Sequence, residues 1–268
     1  MKLSFSTLGC PRWDMKEIVA TAKDLGYDGV ELRGVQSELQ LTRHKAFLPE
    51  NISATRGMFA SLSLVIPCIT SGCVVSDPTA SVENCGEIKR YVDMAAALDA
   101  PYVRVMGDAY AGPAGNVDDY LVESQLAELG EYAKERGVTL LVETNGAYAD
   151  TNRLAKLLES VSSPAVKALW DINHPYRYFG EPPEATVGNI GPMIRHVHLK
   201  DSLVSGGRIV YRLMGQGDLP ILKSVELLKK VGFDGFYSLE WLKRFDLTLE
   251  DPGIAFVQYI SYMRAVKS

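Results

Sequence analysis

What most constrains this chain is a change of hydrophobic period that repeats eight times: short β-rich runs alternate with amphipathic stretches. The runs expected to form strands cover residues 3–7, 29–32, 62–66, 102–106, 139–143, 167–171, 196–200 and 237–241. Between them lie stretches such as MKEIVATAKDLG (15–26), SVENCGEIKRYVDMAAALDA (81–100) and DDYLVESQLAELGEYAKERG (118–137). Their apolar residues recur at i, i+3, i+4 and i+7, which predicts helices. Several of these stretches end on a glycine, as at Gly26, Gly137 and Gly232, which suits a helix C-cap. The phrases LGYDGVEL and VGFDGFYSLE are near copies and read as one unit used twice: a helix end, a tight turn and a buried strand.

Strands separated by helices pair in parallel through right-handed crossovers. Eight such units in 268 residues are expected to close into one (β/α)₈ TIM barrel, a single domain covering residues 1–268. An open doubly wound sheet would carry a GxGxxG turn after its first strand, and STLGCPRW is not one. The 47% of apolar residues is enough to fill a barrel interior and the layer outside it.

Charge and cysteine usage narrow the partners. The net charge is −5, with 28 basic and 33 acidic residues mixed along the chain, so no broad phosphate-binding face is expected and nucleic acid is excluded as a partner. Four cysteines without a CxxC spacing read as reduced thiols in a cytoplasmic protein. The opening LSFSTLGCPRW is too short and polar for a signal-peptide core, and no apolar run approaches the ~20 residues of a membrane span. A homo-oligomer is compatible with all of this.

In such a barrel, chemistry sits at the carboxyl ends of the strands. The last four runs end LLVETN, ALWDINH, HVHLKD and YSLEW, which brings Glu143, Asp171, His198 and Glu240 to one rim. Three carboxylates and an imidazole suit one divalent ion, Mn²⁺, Mg²⁺, Co²⁺ or Zn²⁺, and without a cation they would repel one another. Each residue alone has a plainer reading. Glu143 could cap a helix, Asp171 could cap the turn INHP, and one of His196 and His198, two apart on one strand, could be structural. The set of four carries the metal reading.

Other residues are candidates for holding substrate. Glu31 and Arg33 end the second strand, and Arg104 lies in the fourth. Lys200 should face the same side as His198, as a cation for an enediolate or carboxylate, or in a salt bridge with Asp201 or Asp171. Trp13 and Trp241 could wall a sugar face, although core packing is the commoner fate of tryptophan. A divalent ion that binds a carbonyl and its neighbouring hydroxyl acidifies the C–H between them and stabilises the enediolate. Glu143 and Glu240, expected on opposite sides of the cluster, would then be the acid/base pair. Isomerisation, epimerisation and loss of a β-hydroxyl all follow from that enediolate.

The segments VETN, WDINH, HVHLKD, MGQGDLP and SLEW, together with the opening LGYDGVELR, resemble the sugar phosphate isomerase/epimerase superfamily, the xylose-isomerase-like TIM barrels. The resemblance covers nearly the whole chain. It implies that Glu143, Asp171, His198 and Glu240 are metal ligands, with His198 preferred over His196. It also implies that His174 touches substrate or an additional metal, and that backbone at Gly215 and Gly217 approaches ligand, where a plain turn is the competing view. Endonuclease IV shares this fold but adds histidines for a three-zinc cluster, and VIPCITSG and VMGDAY supply none. Two positions depart from the ketose 3-epimerases: Val204 replaces an arginine and Ala149 a glutamate, which argues against a free hexulose as substrate. Arg208 and Arg212 could serve an anionic group instead.

The function expected is therefore a metal-dependent isomerase or epimerase of a small sugar, sugar phosphate or inositol-derived ketone. The rivals are a dehydratase or lyase on keto-inositols or dehydroshikimate-like acids, and a non-catalytic carbohydrate-binding barrel.

Overall fold

A computed structural model describes residues 1–267. Its strands are β1 (Lys2–Ser6), β2 (Gly29–Glu31), β3 (Ile69–Val74), β4 (Tyr102–Met106), β5 (Thr139–Glu143), β6 (Val166–Asp171), β7 (Ile194–Leu199), β8 (Asp201–Ser205), β9 (Arg208–Arg212) and β10 (Phe236–Leu239). Eight of them pair in the order β2-β1-β10-β7-β6-β5-β4-β3, every pair parallel, while β8 and β9 form a separate antiparallel hairpin. The seam between β2 and β3 is closed by hydrogen bonds from Leu32 N to Cys68 O at 3.1 Å and from Thr70 N to Leu32 O at 2.9 Å. The expected single-domain TIM barrel is the observed fold.

Helices pack outside this barrel: α1 (Met15–Leu25), α2 (Ile52–Ser61), α3 (Ser81–Ala97), α4 (Asp119–Lys134), α5 (Thr151–Val161), α6 (Asn173–Phe179), α7 (Pro183–Ile190), α8 (Ile221–Lys230) and α9 (Pro252–Lys267). Local chemistry sets their ends. Asp14 accepts from the backbone N–H groups of Lys16 and Glu17, while Glu17 accepts from Asp14 N, so α1 starts with a capping box. Asp118 caps α4 by accepting from Tyr120 N and Leu121 N, and Asp150 caps α5 by accepting from Asn152 N and Arg153 N, each such cap contributing about 1 kcal/mol. Gly26 ends α1 at φ +74°, a left-handed conformation that costs glycine nothing.

The third strand corrects the sequence reading. Residues 62–66 were expected there, but α2 runs to Ser61, Leu62 caps it, and Ser63 turns the chain at φ +55°. Val65 does bridge Gly29, after which Pro67, which has no N–H to donate, interrupts the ladder. Pairing with β4 begins only at Ile69.

The main apolar core fills the layer between strands and helices. Inside the barrel lies a small separate cluster of Cys68, Leu141 and Leu169, with Tyr102 against it. The rest of the interior is polar: Ser4, Glu31, Arg104, His196, His198 and Ser238 are all buried. That polar column rises to the carboxyl ends of the strands.

Candidate active site

Glu143 and Asp171 are the last residues of β5 and β6, His198 is the penultimate residue of β7, and Glu240 follows β10 directly. Strand register brings them together, with His198 opposite Asp171 on one side and Ser238 on the other. One ligand atom from each of the four residues falls within 4.8 Å of the others, and all four residues are buried.

His198 shows how well this group suits a cation. Its Nε2 lies 3.0 Å from Glu31 Oε2, and its Nδ1 lies 3.4 Å from both Glu143 Oε1 and Glu240 Oε1. Nδ1 has no hydrogen-bond partner. A carboxylate behind Nε2 takes that N–H and turns the Nδ1 lone pair toward two more carboxylates, an arrangement that needs a positive charge between them. Burial alone would drive a proton off His198, but Glu31 and Glu240 hold its pKa well above the ordinary imidazole value. A bound divalent ion would supply the charge that this proton otherwise brings. The donor set of three carboxylates and one imidazole therefore fits Mn²⁺, Mg²⁺, Co²⁺ or Zn²⁺.

Two fixed cations flank the group. Lys200 is fully buried, with Nζ 2.5 Å from Asp171 Oδ2 and in contact with Glu240. Burial opposes its charge, but these carboxylates raise its pKa well above the ordinary lysine value. The expected alternative partner Asp201 is engaged elsewhere, by Gly215 N and Gly217 N. Arg104 Nε is 3.2 Å from Glu143 Oε2, yet Nε and Nη1 have no hydrogen-bond partner. Burial raises the Glu143 pKa, and Arg104 followed by His198 outweighs it, so the carboxyl stays ionised.

A cavity of about 220 Å³ opens onto this cluster, lined by Glu143, Glu240, His174, Lys200, Arg104 and Arg33 together with apolar side chains. His174 lines it as well: Nδ1 is 3.0 Å from Thr144 O, and Nε2 is 3.7 Å from Asp171 Oδ2. Burial and the neighbouring Arg104 push the Arg33 pKa down to about 10.

Several candidates lie elsewhere. Glu31 is sealed beneath the rim between His196 (2.7 Å) and His198 (3.0 Å) and does not line the cavity. Its position favours holding His198 over touching substrate. Trp13 packs edge-on against Phe256 and borders a different cleft, beside Cys10 and Lys243. Trp241 is core, donating from Nε1 to Glu250 O at 2.9 Å. Gly215 and Gly217 form the plain turn, their N–H groups donating to Asp201 Oδ2 at 2.8 and 2.9 Å. A Cβ on Gly217 would strike the Asp201 carboxylate. Arg208 and Val204 are exposed on the β8–β9 hairpin, and Ala149 is buried beside α5.

Among the polar and aromatic side chains that line the cavity, sequence reasoning missed three. Asn145, two residues beyond Glu143, lines the wall with its Nδ2 fixed by Asp108 O and its buried Oδ1 unpartnered. Its parity with Glu143 was a usable signal. Tyr211 enters from β9, and Phe245, 62% exposed, sits at the mouth. Nothing local marked either, because their placement depends on how loops fold over the rim.

The comparisons agree with this architecture. Fructoselysine 3-epimerase of Shigella flexneri is 26% identical over 278 aligned residues, covering 99% of this chain and 98% of the relative. An L-ribulose 3-epimerase structure superposes with a TM-score of 0.81 at 15% identity, covering 99% of this chain and 94% of that one. A xylose isomerase-like TIM barrel protein from Mycobacterium smegmatis, solved in complex with magnesium, superposes at 0.77 with 17% identity, covering 99% and 96%. The curated relatives that match along the whole chain are fructoselysine 3-epimerases, which supports an enzyme of the sugar isomerase and epimerase kind. The profile described as "Xylose isomerase-like TIM barrel" matches residues 19–257, and the chain belongs to that family.

Proposed function

We propose that this protein is a divalent-metal-dependent epimerase of a ketose-type sugar, working through an enediolate. The observation that carries the reading is the meeting of Glu143, Asp171, His198 and Glu240 within 4.8 Å at the floor of a cavity. One divalent ion held there by these four side chains, with His198 using Nδ1, would supply positive charge for the oxygens of the enediolate.

This chain's own residues account for the rest. Glu143 and Glu240 are the two carboxylates that both line the cavity and belong to the cluster. They act as base and acid on opposite faces of the substrate carbon beside the carbonyl: one removes the proton and the other returns it, inverting the centre. Lys200 and Arg104 neutralise these carboxylates between steps and offer N–H donors to developing negative charge. His174 and the free Oδ1 of Asn145 bind substrate hydroxyls and orient the ring or chain. The full-length fructoselysine 3-epimerase relatives favour epimerisation over isomerisation or dehydration as the outcome.

Four free cysteines, three of them buried, favour a reducing compartment such as the cytoplasm, and among the described residues no helix is long and apolar enough to cross a membrane. The deciding experiment pairs elemental analysis of the purified protein with incubation of ketoses in D₂O. About one tightly held divalent ion per chain and deuterium at the carbon beside the carbonyl are expected. Protein free of metal, or deuterium incorporation indifferent to chelation, would sink the reading. A product lighter by one water would convert it to a dehydratase.

A further inference from the structure

Beyond Arg33 the cavity has a neighbour. A cleft of about 480 Å³ lies on the far side of this side chain, between the loop after β2 and helix α3, and Arg33 is part of both walls. The cavity alone, at about 220 Å³, is smaller than the ~300–1,000 Å³ usual for small-molecule sites, whereas the two together fall inside that range. We propose that they form one elongated site, in which the cavity takes the ketose and the cleft takes a zwitterionic, amino-acid-like end of the same substrate. The proposal rests on the epimerase reading for the ketose end.

The lining of the cleft carries this choice of chemistry. Three carboxylates, Glu38, Glu83 and Glu87, share it with two guanidiniums, Arg33 and Arg90. A phosphate would meet more negative than positive groups there, and with Glu87 and Arg90 paired to each other a plain sugar would leave Glu38, Glu83 and Arg33 without a charged partner. An ammonium and a carboxylate on one carbon answer both signs. The parts are also held in place. Glu87 is 6% exposed and fixed by Thr42 Oγ1 and by Arg90 Nε at 2.6 Å. Arg33 is 8% exposed, and its guanidinium donates from Nη1 to Leu39 O at 2.9 Å, which leaves further N–H donors on a side chain that lines both compartments. Gly72 in β3 gives that guanidinium its room, since a Cβ there would strike Arg33 Nη2.

The test uses the purified full-length chain, titrated calorimetrically with fructoselysine and with free fructose as probes. The double variant Glu83→Gln/Arg90→Gln changes the cleft and leaves every cavity residue in place. The conjugate is expected to bind at least about tenfold more tightly than fructose, and the variant to erase that advantage while leaving fructose binding unchanged. Equal affinities for the two probes, or a preference untouched by the variant, would overturn the proposal. Deuterium exchange run on the same samples separates the two readings. Tight conjugate binding without exchange keeps the cleft and removes the epimerase, and exchange on fructose without a conjugate preference does the reverse. Failure of both probes to bind removes both.

Discussion

Two groups of acid and histidine side chains lie one above the other inside the barrel, and they share His198. The upper group is Glu143, Asp171, His198 and Glu240; the lower is Glu31, His196 and His198. Both have residue types and spacings that could hold a metal, and both are buried. They differ in access: Glu143 and Glu240 line an open cavity, whereas Glu31 and His196 are 0% exposed and do not line it. A catalytic metal site needs an open position for its substrate, so composition alone does not distinguish a site from its support. The lower group has the geometry of a support, a carboxylate that fixes the ring of a histidine above it.

Substitutions in the two layers should therefore part company. The largest effect is expected in the upper layer, where Glu143→Gln and Glu240→Gln each lower deuterium exchange by about 100-fold or more with the fold retained by circular dichroism. Exchange at the rate of the unsubstituted protein in both variants would end the acid/base assignment. One layer down, Glu31→Gln should weaken binding of the divalent ion by roughly 10–100-fold, read by competition with a chelator, because His198 loses the partner that sets its tautomer. An unchanged affinity would show that the lower layer does not act through His198. His196→Phe leaves His198 its contact with Glu31 and removes one hydrogen bond from that carboxylate, so a loss of about 1–3 kcal/mol in unfolding free energy is expected, with exchange largely kept. Smallest of all is Ser238→Ala. Its buried hydroxyl has no partner, so denaturant unfolding should change by less than about 1 kcal/mol.

Much of the upper layer was legible because strand-end residues announce themselves. Each of Glu143, Asp171, His198 and Glu240 closes an apolar run, and the alternation of eight strands with helices told which ends would share a rim. Parity along β7 put His196 and His198 on one side, as the structure has them. The third strand misled because LSLVI alternates well, and the competing signals, a helix running to Ser61 and a proline at 67, weigh more in the folded chain. Trp13, Gly215 and Gly217 each have a common structural use, and the structure shows that use: edge-on packing for Trp13 and a turn around Asp201 for the two glycines.

By itself, the sequence determined the barrel, the order of its strands and the residues that reach its rim, because all of these follow from local periodicity. Only the tertiary structure decided depth and neighbourhood: that Glu31 stands behind His198, that Lys200 bridges Asp171 and Glu240, and that Arg33 divides a cavity from a cleft. The reason is physical. Height along a barrel axis is set by the stagger between strands and by loops folding across the rim, and neither leaves a mark in the period of a single segment.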